Sequence, residues 1–190
     1  QDFSDSSSES FYPWYSSFSK LPGADFFCEI DEEYLRDRFN LTYLERDVPN
    51  FKKIYDSIVS AISSVEVTED AVKLYGLLHA RYIISPMGLT KMYRKFREGV
   101  FGHCPRVLCS NQAFLPVGLA DKIGINSVKL YCPCCKDIYS PRAKRYHFID
   151  GAYFGSSFPH IFLQTYLDLK FPAKKEYVPR IFGFELVNHD

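Results

Sequence analysis

The chain has 190 residues, 46% hydrophobic and 17% aromatic, enough for a sizeable buried core in one or two domains. Its 23 Lys and Arg balance 23 Asp and Glu, which excludes the broad basic field that nucleic acid or an anionic membrane attracts. No apolar run approaches the ~20 residues of a membrane span, and the acidic, serine-rich start is unlike a secretory signal.

Residues 1–10, QDFSDSSSES, offer nothing to bury and read as a disordered acidic tail. From 11 to 99 the signals are helical. Asp31 is placed to cap a helix through EEYLRDRF, and Thr42 with Glu45 forms a capping-box pattern that Pro49 soon ends. Phe51, Ile54, Tyr55, Ile58 and Ile62 recur at helical spacing. A longer helix is predicted from near Thr68 to Ile84, with Glu69 and Asp70 favourable in its first turn, before Ser85-Pro86 breaks it. GLTKMYRKFREG then sets Leu89, Met92, Tyr93 and Phe96 on one face, with Gly99 as the stop. At Phe101 the texture changes to Pro, Gly and Cys with short β-favouring runs (FLPVG, SVKLYC, DIYSP), the mark of a small β-rich module over 100–160. In the last segment, 161–190, YVPRIFGFELV alternates as a terminal strand or hairpin, and just before it PHIFLQTYL reads as a short helix. The fold class is therefore α+β, a helical domain followed by a β-rich module and an extended C-terminal segment.

Five of the six cysteines lie between Cys104 and Cys135, and only Cys28 lies outside. Cys104 and Cys109 form C-x4-C, and Cys132 and Cys135 form C-x2-C, two chelating pairs separated by a hairpin-length insert, the pattern of a zinc ribbon. Four thiolates close a tetrahedron around one structural Zn2+ per chain and leave no position for water, so the metal's role is folding rather than catalysis. Adjacent residues cannot easily place both sulfurs on one ion, so Cys134 is expected to stay unligated and to point outward. His103, beside Cys104, is expected at the surface or behind the ligands, and a thioredoxin-like role for Cys132 and Cys135 lacks the surrounding βαβ pattern.

FFCEIDEEYLRDRFNLT, LYGLLHARYI, CPRVLC with NQ and LPVGL, VKLYCPCC, DGAYFG, FPH and VPRIFGF, in that order from about Asp25 to Leu186, resemble the regulatory (beta) subunits of casein kinase II. The resemblance implies a non-catalytic regulator that dimerises through its zinc-ribbon modules and carries two catalytic (alpha) subunits. It implies the zinc ligands Cys104, Cys109, Cys132 and Cys135, with Cys134 at a position family members commonly fill with another residue. It also implies that the C-terminal segment inserts aromatic side chains into the kinase, with Phe182 and Phe184 as anchors and Arg180 and Leu186 beside them. Phe182 and Phe184 alternate around Gly183, so both can face one side of an extended segment. Ser6, with Glu9 three residues on, has the acidic pattern that casein kinase II phosphorylates. Residence in nucleus and cytoplasm, and modulation of substrate selection, follow from the same resemblance. The family's strongly acidic loop shrinks here to SSVEVTED.

A kinase's own machinery is not written in this chain: there is no GxGxxG, HAR at 79–81 is not HRD, and DGAYFG is not DFG. His79 sits inside the long predicted helix and reads as a satisfied core histidine. Asp31, Glu32 and Glu33 form an acidic helix face, solvated or offered to basic ligands. The alternative function is a nucleic-acid-binding zinc ribbon, for which KMYRKFR and PRAKRYH supply basic charge interleaved with aromatics, against a net charge of zero.

Overall fold

The computed structural model describes residues 13–60, 66–171 and 177–186; the serine-rich start with Ser6, and Ile62, lie outside them. Helix α5 (Glu69–Tyr82) is the hub of the helical half, burying Leu74, Tyr75, Leu78, His79 and Tyr82. It starts where the sequence places it, because the Thr68 side chain accepts from the Ala71 N–H. Helix α1 (Pro13–Phe18) lays Trp14 and Phe18 against Tyr75, with ring centroids 5.0 and 5.2 Å from it. Helix α6 (Pro86–Arg97) starts on Ser85, whose hydroxyl accepts from Gly88, with Pro86 in the first turn where its missing N–H costs nothing. Leu89, Met92 and Phe96 are buried along its predicted face, and Gly99 at φ +70 ends it.

The stretch from Asp31 to Arg46 departs from its sequence reading. Instead of one helix there are two short ones, α2 (Glu32–Arg36) and α3 (Arg38–Leu41). Asp37 interrupts them, since its carboxylate accepts from the Phe39 N–H at 2.9 Å and so offers the backbone a rival to the helical bond. Asp31 holds the cap position of α2 but makes no side-chain cap bond. Its carboxylate instead takes Lys91 Nζ at 2.6 Å and the Tyr82 hydroxyl at 2.5 Å, drawn into the packing of α5 and α6. Thr42 is no capping box: its hydroxyl donates back to the Phe39 carbonyl, and Leu44–Arg46 is a single 3-10 turn. Helix α4 (Phe51–Ile58) follows.

Beyond Gly99 an antiparallel meander forms from β1 (Leu115–Val117), β2 (Lys129–Tyr131) and β3 (Ile138–Tyr139), in register Leu115↔Tyr131↔Ile138. Such a sheet is too small to bury a core of its own. The chain that follows turns back to the helical half. Tyr146 stacks on Phe26 at 3.9 Å and donates its hydroxyl to Asp25 at 2.6 Å. Tyr153 covers Gly76 of α5 so closely that a Cβ there would sit 2.3 Å from its ring. Helix α7 (Phe158–Thr165) adds Phe158 and Phe162, which closes one continuous set of buried side chains from Trp14 to Phe162. The last described residues form a hairpin of β4 (Arg180–Ile181) and β5 (Phe184–Glu185).

Candidate functional site

Two loops present the clustered cysteines. In the first, Cys104 donates its N–H to Gln112 O at 2.8 Å and Gln112 donates to Cys109 O at 3.1 Å. Ser110 and Asn111 take positive φ to close this turn. In the second, Lys136 donates to Cys132 O at 2.8 Å and Cys132 to Asp137 O at 3.0 Å, with Lys136 at φ +61. Each loop is a tight knuckle whose backbone bonds are satisfied at home, which leaves the sulfurs free to converge. Arg106 and Asp137, 3.6 Å apart, tie one knuckle to the other.

The sulfurs of Cys104, Cys109, Cys132 and Cys135 all lie within 4.8 Å of one another, every one buried. Cys104 Sγ and Cys135 Sγ are 3.9 Å apart, close to the ~3.8 Å edge of a tetrahedron with metal–sulfur bonds of ~2.3 Å. The donor set is all sulfur, which suits a soft or borderline ion and excludes magnesium or calcium. Burial pushes the Cys132 thiol up to about 12 and also raises the Cys109 thiol, whereas at Cys135 burial is outweighed by hydrogen bonds, Tyr139's first among them, which lower the thiol; at Cys132 and Cys109 a cation would favour the thiolate form. These four residues can hold a metal ion. The Tyr139 hydroxyl, 3.3 Å from Cys135 Sγ, stands behind one of them.

Cys134 corrects an expectation. It is not turned outward but is 2% exposed, buried with the other four cysteines of the two loops. His103 is exposed and outside the thiol cluster, its ring laid over the turn at Gly99.

Of the strand or hairpin expected near the C-terminus the chain forms the hairpin, so the aromatic pair does not alternate along one extended strand. Phe182 and Gly183, at φ +51 and +87, are the two turn residues of the β4–β5 hairpin. Phe182 is therefore thrown out at the tip, 97% exposed, with Phe184 78% exposed on the returning strand. Arg180 pairs with Glu185 across the strands, and Leu186 donates its N–H to Pro179 O at 2.9 Å. Two apolar residues that the sequence reading passed over belong with this exposed set. Val107 is 91% exposed and Ile138 is also exposed, each following one partner of the Arg106–Asp137 pair. The signal for them was a β-branched residue inside or beside a metal knuckle, with no core there to receive it.

His79 is a core residue, as read. Its Nδ1 lies 2.8 Å from Tyr153 O and must donate to it, which leaves Nε2 to accept the Cys28 N–H at 3.2 Å. The Cys28 sulfur is 3.6 Å from that Nε2, but burial pushes its thiol up to about 12, so the pair is no reactive dyad. Glu32 pairs with Arg36 at 2.6 Å, while Glu33 is exposed. Of the basic runs, Lys91 and Lys95 reach Asp31 and the Asp25 carbonyl, and Arg145 reaches Asp25 at 3.5 Å. No helix among the described residues is long and apolar enough to cross a membrane.

Fold and site together define a helical body joined to a small antiparallel sheet with a buried four-thiol cluster that can hold a metal ion. The family model for the casein kinase II regulatory subunit matches residues 13–185. The chain is 48% identical to the casein kinase II subunit beta of Schizosaccharomyces pombe, over 96% of this chain and 83% of that protein. It is 48% identical to the subunit beta' of Saccharomyces cerevisiae (95% and 74%) and 42% to the subunit beta' of Drosophila melanogaster (91% and 83%). The chain belongs to the casein kinase II regulatory subunit family, which is non-catalytic.

Proposed function

We propose that this chain acts as a zinc-stabilised homodimeric scaffold that carries two casein kinase II catalytic subunits and tunes their stability and substrate choice. The four-thiol centre holds Zn2+, whose binding energy becomes folding energy for a sheet with little core of its own. The exposed apolar residues Val107 and Ile138, next to the knuckles, supply the self-association surface. The helical half offers a docking surface to substrates.

The observation that carries the reading is the hairpin tip. A fully exposed phenylalanine at a turn, with a second beside it, is costly in water and is the form of a protruding anchor for a partner's apolar pocket. The chemistry is recognition alone: the turn geometry presents the rings, and Arg180–Glu185 holds the strands that carry them.

Calorimetric titration of a casein kinase II catalytic subunit into the zinc-loaded protein tests this. We expect one catalytic subunit bound per chain. Phe182→Ala/Phe184→Ala should weaken binding by ~2 kcal/mol or more per anchor, an affinity loss of several hundredfold or greater. A wild type that fails to bind, or a double variant that binds as well, would overturn the reading.

A further inference from the structure

A cleft of about 670 Å³ opens between the α3–α4 connection and α4, at a distance in sequence from both the metal centre and the hairpin. Its floor is apolar, made by Leu41, Phe51 and Tyr55, the last two with parallel rings 6.1 Å apart. Its rim carries the cations Arg38, Arg46 and Lys52 with the carboxylates Glu45 and Asp56, and a fourth cation, Arg36, that is already paired with Glu32. Within the described residues no carboxylate forms an ion pair with Arg38, Arg46 or Lys52, and all three side chains are exposed. A chain of zero net charge thus concentrates unneutralised positive charge on one cleft.

The cleft is also held open by contacts made for that shape. Arg81 of α5 reaches across to donate to Asn40 O at 2.7 Å and Thr42 O at 2.9 Å, which pins the rim to the hub helix. Tyr43 adopts φ +67, a conformation a bulky residue rarely takes, and the Arg46 guanidinium lies 4.7 Å over its ring. The Tyr55 hydroxyl donates to Leu35 O at 2.9 Å, fixing the floor to α2.

We infer that this cleft docks an acidic, extended peptide segment of a partner protein, with carboxylates on Arg38, Arg46 and Lys52 and one aromatic or large aliphatic side chain on the floor. Guanidinium forks match carboxylates two bonds at a time. The apolar floor and the rim carboxylates Glu45 and Asp56 suit a peptide, which brings side chains of both kinds. They suit a uniform polyphosphate less. The inference rests on the docking role given to the helical half, but not on the kinase anchor, so it is measured without the kinase.

The test is fluorescence anisotropy of the zinc-loaded full chain with a short labelled peptide of Glu and Asp around a central Phe. Peptides with Gln for every acid, or Ala for Phe, and an oligothymidylate of equal length run beside it. The acidic peptide should bind, lose affinity with added salt, and bind about tenfold more weakly to Arg38→Ala/Lys52→Ala. Lys52→Glu, a surface reversal away from the core, should do the same, while Arg97→Ala on α6 should change nothing. Equal binding by wild type and cleft variants, no binding by wild type, or tighter cleft-dependent binding of the oligothymidylate would overturn it. Kinase binding measured on the same samples separates failure of the cleft from failure of the scaffold reading.

Discussion

His79 shows how one side chain joins segments far apart in this chain. Its ring bonds Cys28, between α1 and α2, to Tyr153, beyond the sheet, and burial lowers its pKa from 6.5 to about 4. The unfolded chain takes up a proton near pH 6.5 and the folded chain only near pH 4, so neutral His79 stabilises the fold fully above 6.5. That stability is lost as pH falls through the window between, on the order of 3 kcal/mol in all. Urea unfolding of wild type and His79→Gln at steps from pH 7 to 4.5 checks it. The wild-type stability should fall more steeply, by about 1.4 kcal/mol per pH unit. Acid also strips metal from thiolates in both proteins, so the difference between them isolates His79. Equal slopes would remove it from the account. The sequence marked this histidine as core by its place in a periodic helix; its partners, 51 and 74 residues away, were invisible there.

Among the elements, α5 and the turn at Gly151–Tyr153 are packed closely on each other. Gly76 in mid-helix costs α5 ~1 kcal/mol relative to alanine by propensity alone. A Cβ there would stand 2.3–2.7 Å from three atoms of the Tyr153 ring, and the Tyr153 backbone is held in place by its carbonyl's bond to His79. Overpacking of this kind costs ~1–3 kcal/mol, so Gly76→Ala is expected to be net destabilising by about 1 kcal/mol despite the better helix former. Denaturant unfolding decides the sign, and a stabilised variant would show that the ring moves freely. At this scale the long helices α5 and α6 were legible because period, caps and stops all agree. The stretch 31–46 was not. Asp31, Asp37 and Thr42 each had a legitimate local bond to offer the helix, and packing or a competing turn took a different one.

For the whole molecule, the proposed metal and dimer are separable by mutation. Cys109→Ser removes one of four ligands and should abolish zinc binding, measured by metal content, and with it the dimer seen by sedimentation. Val107→Glu places a charge on the exposed surface of the same knuckle, on a side chain that is 91% accessible, so it should leave one zinc per chain and yield monomers. A metal-free Cys109→Ser dimer would sink the structural-zinc claim, and a dimeric Val107→Glu would move the self-association surface elsewhere.

What the sequence determined by itself was whatever depends on short separations: helical period, the Thr68 and Ser85 caps, the Gly99 stop, and the spacing that pairs Cys104 with Cys109 and Cys132 with Cys135. Chelate spacing and helix period are set by bond lengths and backbone angles, so they can be read along the chain. Only the tertiary structure decided that Cys134 turns inward, that Phe182 stands on a turn rather than a strand, and that Arg38, Arg46 and Lys52 share one cleft with Phe51 and Tyr55. Each of these depends on which of several satisfactory local conformations the neighbours leave room for, and that choice is made by packing between residues far apart in sequence.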